Sequence, residues 1–235
     1  MLQAYAEEIV TKDVLERFGN ASFRAGRRFA LSALRSTVLK FSVNKQVNAL
    51  RSASVSLSNE AAYALLDDFE DAHLIFKVLG YSRSIRDNPK SASKVHSVDS
   101  GLSLAVAPAN DVDLGQRLET AVFMELKRRH GCNRSNVIAR YSSSSCPEVD
   151  FIVGDAMLTA QHELIQVAAE SGALRRGADG GMPSKYASEA GNLETTMAET
   201  GLRDSFLVTL EEEGDIALGS GTVHIVPAWK WFLAR

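Results

Sequence analysis

The front part of the chain is patterned as a series of short helices. Apolar residues recur at helical spacing, and the first run stops at Gly19-Asn20. The apolar positions of this run are Val10, Val14, Leu15 and Phe18. The next run places Leu31, Leu34 and Val38 on one face, which predicts a second helix over about residues 29–39.

Two further helices are predicted on either side of a short polar turn, residues 51–54. Ser42 is the expected N-cap of the first helix, and Ser58 or Asn59 is the expected N-cap of the second. These short polar side chains accept hydrogen bonds from the free N–H groups of a first helical turn. Helix, short turn and helix together form the outline of a helix-turn-helix.

Two strand-like runs follow, at residues 74–78 and 94–98, with a polar segment between them. A helix-turn-helix followed by a hairpin with a basic tip is typical of a winged helix. The candidate nucleic-acid contacts are therefore Lys45, Arg83, Arg86 and Lys90. The alternative is a plain helical packing module whose basic loop keeps a sheet edge soluble. Winged helices also bind proteins, so the outline alone does not select DNA as the partner.

The pattern changes after Val98. A strong amphipathic helix is predicted over Leu114–His130, and a second helix over about residues 185–199. Strands are predicted at residues 137–141, 149–153, 164–168, 206–210 and 222–226, with a glycine-rich loop at 171–184. Helix, strands, helix, strands indicates an α/β fold in which helices pack on a mixed sheet. We therefore expect two domains, a helical winged-helix-like module over residues 1–98 and an α/β domain over residues 99–235.

Composition and charge narrow the classes of protein to which the chain can belong. The chain is 45% hydrophobic and 23% charged, which is ordinary for a globular protein. Lys and Arg outnumber Asp and Glu by four up to Val98, and the acids lead by seven from Asp99 onward, for a net charge of −3. The basic front half is the better candidate for touching phosphates, although solvated helix faces would give the same count.

Membrane and secretory classes are not indicated. No run approaches the roughly 20 apolar residues that span a bilayer, and the acidic N-terminal segment shows no signal peptide. Cys132 and Cys146 do not form a disulfide framework or a zinc pattern. A reduced, cytoplasmic setting is the expectation.

The candidate chemistry lies in the second half of the chain. Glu119 on a helix, Asp150 at the start of a strand and Gln166 on the next strand follow the order of a metal-dependent phosphodiesterase core. Glu119 and Asp150 are the candidate metal ligands, with Mg²⁺ as the candidate cofactor. Two residues after Gln166, where a lysine would orient the attacking water, the chain has Ala168. We therefore expect a degenerate catalytic set, with hydrolysis in doubt.

Each of these residues also has a structural interpretation. Glu119 is then a solvated helix acid, and Gln166 is a hydrogen-bonded core amide. Asp150 caps a turn or pairs with Arg117 or Arg140. The chain contains no Gly-x-x-x-x-Gly-Lys-Ser/Thr motif, so it carries no P-loop of its own.

Taken together, the motifs resemble a known prokaryotic family. The segments that carry the resemblance include Phe41-Ser42-Val43-Asn44-Lys45, Lys94-Val95-His96-Ser97-Val98, Leu118-Glu119, Glu148-Val149-Asp150-Phe151, Leu164-Ile165-Gln166-Val167 and Ile225-Val226-Pro227-Ala228-Trp229. They resemble the C-terminal region of AAA+-type P-loop ATPases. In that family the ATPase is followed by a winged helix and a restriction-endonuclease-like domain.

The resemblance implies a fold, a set of positions and two candidate partners. The fold is a winged helix followed by a PD-(D/E)XK-like α/β domain, with the ATPase half absent from this chain. Glu119, Asp150 and Gln166 match the three positions of the nuclease core, and the chain departs from the family at Gln166 and Ala168. DNA and a P-loop ATPase domain or subunit are the candidate partners. We expect a binding or regulatory module, and the alternative is a metal-dependent DNA endonuclease.

Overall fold

The structure is a computed structural model of the chain. It describes residues 2–14, 20–81, 93–106, 114–131, 136–146, 148–155, 162–169 and 184–234. These residues form an α/β protein with two sheets. Within them, no helix is long and apolar enough to cross a membrane.

The chain divides into two compact units. The first comprises Met1–Val78 and Lys90–Gln116, and the second comprises Leu79–Pro89 and Arg117–Arg235. The expected join between residues 98 and 99 lies inside the first unit, which continues through one more helix, Ser100–Val106.

The first unit consists of helices around a small sheet. Its helices are α1 (Leu2–Glu8), which continues as a π-helical segment (Ile9–Val14), α2 (Asn20–Arg35), α3 (Val43–Ser52), α4 (Asn59–Asp71) and α5 (Ser100–Val106). Its strands are β1 (Lys40–Phe41), β2 (Ile75–Val78) and β3 (Ser93–Ser97). The strands pair antiparallel in the order β1-β3-β2.

Helix α2 differs from its predicted span at both ends. It begins at Asn20 and ends at Arg35, so the predicted continuation to residue 39 is wrong. Beyond the helix, Val38 takes a positive φ of 68° and donates its N–H to the carbonyl oxygen of Val95 at 2.6 Å. That bond joins the end of the helix to the sheet.

Both predicted serine caps are confirmed. The Ser42 hydroxyl accepts a hydrogen bond from the N–H of Lys45 at 3.3 Å, and the Ser58 hydroxyl accepts one from Ala61 at 3.1 Å. Each bond satisfies an N–H group that has no partner inside its own helix. The two caps thus set where α3 and α4 begin.

The core of the first unit is built around Phe29 of α2. Its ring meets the edge of Phe41 at 5.5 Å between centroids and lies 6.2 Å from Phe69 of α4. All three side chains are buried. They link α2, β1 and α4 in one apolar cluster.

Strand β3 is buried along its whole length, including its polar residues. His96 is fully buried opposite Phe76, and Lys94 lies two residues away on the same face. Burial, together with the positive charge of Lys94, lowers the pKa of His96 to about 3. His96 is therefore held neutral in the folded protein at ordinary pH.

The second unit is organised around a six-stranded mixed sheet. Its helices are α6 (Leu114–His130), α7 (Ser184–Thr200) and α8 (Ala228–Leu233). Its strands are β4 (Asn136–Tyr141), β5 (Val149–Asp155), β6 (Glu163–Ala168), β7 (Asp204–Thr209), β8 (Gly214–Ala217) and β9 (Thr222–Pro227). The spatial order is β4-β5-β6-β7-β9-β8. The pairs β6–β7 and β7–β9 are parallel, and the other pairs are antiparallel.

Helices cover the sheet of the second unit. Tyr186, Leu193 and Met197 of α7 pack in a cluster with strand residues that include Ile152, Leu164, Leu207, Val223 and Ile225. Phe123 of α6 stacks on Phe151 at 6.0 Å between ring centroids. Because side chains alternate along a strand, Phe151 points to the face of β5 opposite to that of Ile152.

An arginine of α6 contacts helix α8. The Arg129 guanidinium lies 4.2 Å from the centre of the Trp231 ring and donates to the Trp231 carbonyl oxygen at 2.5 Å. Trp231 is buried, whereas Trp229 of the same helix is 61% exposed.

Two glycines of the second unit should respond to alanine in opposite directions. A Cβ at Gly191, inside α7, would meet no atom within 4 Å, whereas a Cβ at Gly221 would lie 2.0 Å from the Arg203 carbonyl oxygen. We expect Gly191→Ala to raise the free energy of unfolding by about 0.5–1 kcal/mol, because alanine loses less backbone entropy in a helix. Gly221→Ala should lower the free energy of unfolding. Urea denaturation of both variants would show this, and a loss of stability in Gly191→Ala would contradict it.

The buried His96 should make stability depend on pH. Its folded pKa of about 3 lies below the unfolded value near 6.5. The unfolded state therefore binds the extra proton, and stability falls as the pH drops from about 6.5 toward 3, with a limiting slope of about 1.4 kcal/mol per pH unit.

This is measured by denaturant unfolding between pH 4 and 8. The slope should shrink in His96→Leu and persist in His73→Asn, which changes an exposed histidine at a positive-φ position that asparagine tolerates. An unchanged slope in His96→Leu would show that other groups produce the pH dependence.

Candidate functional site

The candidate site lies where the pairing of β5 and β6 ends. The two strands are antiparallel, with Phe151 opposite Ile165 and Ile152 opposite Leu164. One step further along this register, Asp150 faces Gln166. The backbone ladder stops before this pair, and hydrogen bonds from the two side chains take its place.

The side chains of Asp150 and Gln166 each accept a hydrogen bond from a backbone N–H group of the neighbouring strand. The Gln166 Oε1 accepts a hydrogen bond from the Asp150 N–H at 3.1 Å. The Asp150 Oδ2 accepts one from the Val167 N–H at 3.0 Å. Each residue is only 7% exposed, so these side-chain oxygens satisfy backbone donors that water reaches poorly.

The structure therefore brings together two of the three predicted core residues. The structural interpretation of Gln166, a hydrogen-bonded core amide, agrees with this geometry. Strand β5, which carries Asp150, is paired on both sides, with β4 and with β6. The Asp150 carboxylate is accordingly buried inside the unit.

Glu119 belongs to a buried face of α6. It is 8% exposed, so the interpretation of Glu119 as a solvated helix acid is wrong. Phe123 follows one helical turn later on the same face and stacks on Phe151, the neighbour of Asp150. Helix α6 thus packs on the face of β5 that carries Phe151, whereas Asp150, its neighbour in the strand, alternates to the face that carries Ile152.

Ala168 lies in the apolar core. It is 3% exposed and belongs to the cluster that α7 packs on, together with Tyr186 and Leu193. Because side chains alternate along a strand, Ala168 and Gln166 point to the same face of the sheet. A cation at this position would have to enter that apolar cluster, and the methyl group present supplies no charge.

The two acids do not form part of a larger acidic or histidine cluster in the part of the chain that the structure describes. No group of three or more His, Cys, Asp or Glu side chains gathers there as it would around a metal ion. The prediction that Glu119 and Asp150 bind Mg²⁺ therefore rests on these two carboxylates and the Gln166 amide oxygen. One oxygen of Asp150 and that amide oxygen already accept backbone hydrogen bonds.

Of the predicted nucleic-acid contacts, the structure describes one. Lys45 is exposed on the first turn of α3. Arg83, Arg86 and Lys90 lie outside the described residues, as does the glycine-rich segment up to residue 183.

A histidine cluster on the sheet was missed by the sequence reasoning. His224 of β9 approaches Asp215 of β8 with its Nδ1 at 2.7 Å and Asp204 of β7 with its Nε2 at 3.2 Å. The hydrogen bond to Asp215 is the largest cause of a raised pKa of His224, and the hydrogen bond to Asp204 raises this pKa further. The cluster ties the edge strand to the sheet. Its members are 9 and 20 residues from His224 in sequence, and only the strand register brings them together.

Comparison with known proteins finds similarity to a family model and to an archaeal protein. The model of a family described as "Domain of unknown function (DUF8612)" matches residues 1–113. The matched span ends just before Gln116, the last residue of the first unit. The chain is also similar to the uncharacterized protein MJ1544 of Methanocaldococcus jannaschii, with 25% identity over 237 residues. That alignment covers 99% of this chain and 50% of the relative, so the chain spans about half the relative's length.

The reciprocal bonds predict how the second unit responds to changes at Asp150. Asp150→Ala removes the acceptor of the Val167 N–H and should lower the free energy of unfolding by about 1–3 kcal/mol. Asp150→Asn keeps an oxygen acceptor and should cost less. Glu163→Ala, at the exposed start of β6, should stay within about 0.5 kcal/mol of the wild type. Equal stability of Asp150→Ala and Glu163→Ala in urea denaturation would contradict a structural role for the carboxylate.

Proposed function

We propose that this chain is a regulatory module that binds nucleic acid or a partner protein, built from a winged helix and a restriction-endonuclease-like unit that no longer cuts DNA. The observation that carries the proposal is the use of Asp150 and Gln166 in bonds that connect β5 and β6. Oxygen atoms that a nuclease would offer to a metal ion accept backbone hydrogen bonds instead. The position of the family's lysine is a buried alanine, Ala168.

The topology of the first unit supports the winged-helix part. Its elements follow the order α2, β1, α3, α4, β2, β3, and the sheet order is β1-β3-β2. This is the order of a winged helix, in which a helix-turn-helix precedes a two-stranded hairpin that pairs with a short first strand. The separate family match to residues 1–113 indicates that the unit recurs as a module.

The second unit supports the nuclease-like part. Helix α6 precedes the antiparallel strands β4, β5 and β6, and α7 lies in the connection from β6 to the parallel strand β7. This is the arrangement that the resemblance to PD-(D/E)XK domains implies. Glu119 on the first helix, Asp150 at the start of β5 and Gln166 within β6 follow the order along the chain that the resemblance implies for its acidic core.

The chemistry of the site argues against hydrolysis. Phosphodiester cleavage with Mg²⁺ needs oxygen ligands free to coordinate the ion and a group that stabilises the developing negative charge. Gln166 supplies a neutral oxygen where the family has a carboxylate, and Ala168 supplies no cation. A scaffold with these replacements keeps the shape of the nuclease and serves binding.

A P-loop ATPase domain or subunit is the partner that the resemblance implies. The M. jannaschii relative is about twice as long as the aligned region, which leaves room for a further domain of that kind in the relative. In this proposal the chain positions or restrains the ATPase in response to what the winged helix binds.

A cleavage assay tests the loss of hydrolysis. We expect supercoiled plasmid incubated with Mg²⁺ or Mn²⁺ to be cut no faster by the wild type than by Asp150→Asn, which removes the charge and keeps the acceptor for Val167. Cutting by the wild type that Asp150→Asn abolishes would instead assign the endonuclease activity. Gln166→Glu is the informative companion, because it restores a carboxylate and keeps the acceptor for the Asp150 N–H.

A further inference from the structure

The helices of the first unit separate their charges. Helix α2 carries four arginines and no acid, and α3 carries Lys45 and Arg51 and no acid. Helix α4 carries five acids and no base. In a winged helix, α4 would be the helix that enters the major groove of DNA. Its carboxylates would be repelled by the phosphates that line such a groove.

The basic side chains of α2 and α3 are largely available. Arg27 pairs with Glu7 at 2.6 Å, and Arg35 donates to the carbonyl oxygen of Val106 at 2.7 Å. Arg24, Arg28 and Lys45 are exposed, and none forms an ion pair with any residue that the structure describes.

A direct side-chain contact joins the two helices. The Ser32 hydroxyl of α2 donates to the Gln46 Oε1 of α3 at 2.6 Å. Arg24, Arg28 and Ser32 follow one another at four-residue intervals, so they share one face of α2. Lys45 directly precedes Gln46. We call Arg24, Arg28 and Lys45 the α2–α3 basic face.

We infer that the α2–α3 basic face binds the phosphate backbone of duplex DNA, with α4 turned away from the duplex. The inference rests on the proposed binding function and names its ligand. Arginines one helical turn apart have Cβ atoms about 5–6 Å from each other. Their planar guanidinium groups bind phosphate oxygens bidentately. A regularly charged polyanion complements such a row.

The composition of the face favours a duplex over a single strand. The exposed side chains of α3 are Asn44, Lys45, Asn48, Ala49, Arg51 and Ser52. Among the described side chains, neither α2 nor α3 has an exposed aromatic ring. Single-strand binding proteins stack bases on such rings. Contacts confined to phosphates would bind duplexes of any sequence with a strong dependence on salt.

The test is fluorescence anisotropy of a short labelled duplex over a range of salt concentrations, with the full chain. We expect the wild type to bind at low salt. Arg24→Glu/Arg28→Glu should weaken binding at least about tenfold and reduce the slope of log affinity against log salt by about 2, since each phosphate contact contributes about 0.9. Adding Lys45→Glu should weaken binding further.

Matched variants separate the face from net charge and from misfolding. Arg203→Glu/Lys230→Glu makes the same charge change at exposed positions of the second unit and should alter affinity no more than about twofold, because neither residue belongs to the α2–α3 basic face. Arg24→Gln/Arg28→Gln repeats the loss of contacts without adding acids, so it decides the matter if the reversed variant unfolds in a thermal melt.

Four results would overturn the inference. The first is that the duplex does not bind at low salt, and the second is that the second-unit control weakens binding equally. The third is that Arg83→Glu/Arg86→Glu loses binding while Arg24→Glu/Arg28→Glu does not. The fourth is that the single strand binds much more tightly than the duplex. The cleavage assay is read independently. Metal-dependent cutting would contradict the proposal that the chain no longer cuts DNA. Failure of the duplex assay would contradict only the proposal that the α2–α3 basic face is the DNA-binding site.

Discussion

A buried backbone N–H group must find an acceptor, and this requirement shapes the second unit at the point where its strands separate. Asp150 and Val167 each present such a donor just past the last ladder bond between β5 and β6. The Gln166 amide and the Asp150 carboxylate accept them. The bonds hold together two central strands of the sheet, and α6 and α7 pack on opposite faces of β5. Two residues that were predicted to belong to a catalytic core thereby connect the strands of the framework.

The first unit is shaped by a different constraint, the separation of charge between helices. Phe29, Phe41 and Phe69 fill a single apolar core, so the outward faces of α2, α3 and α4 are free to differ. Two of these helices carry only basic charges and the third only acidic ones. A polyanion would be attracted to one side of the unit and repelled by another. Orientation on a partner would then come from electrostatics, because complementary charge steers the encounter and suppresses wrong arrangements.

Long elements with a clear period were predictable from the sequence. Helix α6 spans Leu114–His130 as predicted, because its apolar residues repeat with the helical period over several turns. The strands at β5 and β6 and the serine caps of α3 and α4 were predictable for similar local reasons. Strands β1 and β8 were missed, since two residues, or four that are mostly exposed, carry no alternation to detect. They exist as strands only because β3 and β9 pair with them.

By itself, the sequence determined which polar residues stand at the ends of which apolar runs, the absence of a lysine after Gln166, and the unequal charges of the two halves. These are properties of neighbouring residues, so no fold is needed to see them. Only the tertiary structure decided what the polar residues do. It buried Glu119, joined Asp150 to Val167, gathered Asp204 and Asp215 around His224, and placed Arg129 on Trp231. Those partners are far apart in the chain, and the register of strands and the packing of helices alone bring them within hydrogen-bonding distance.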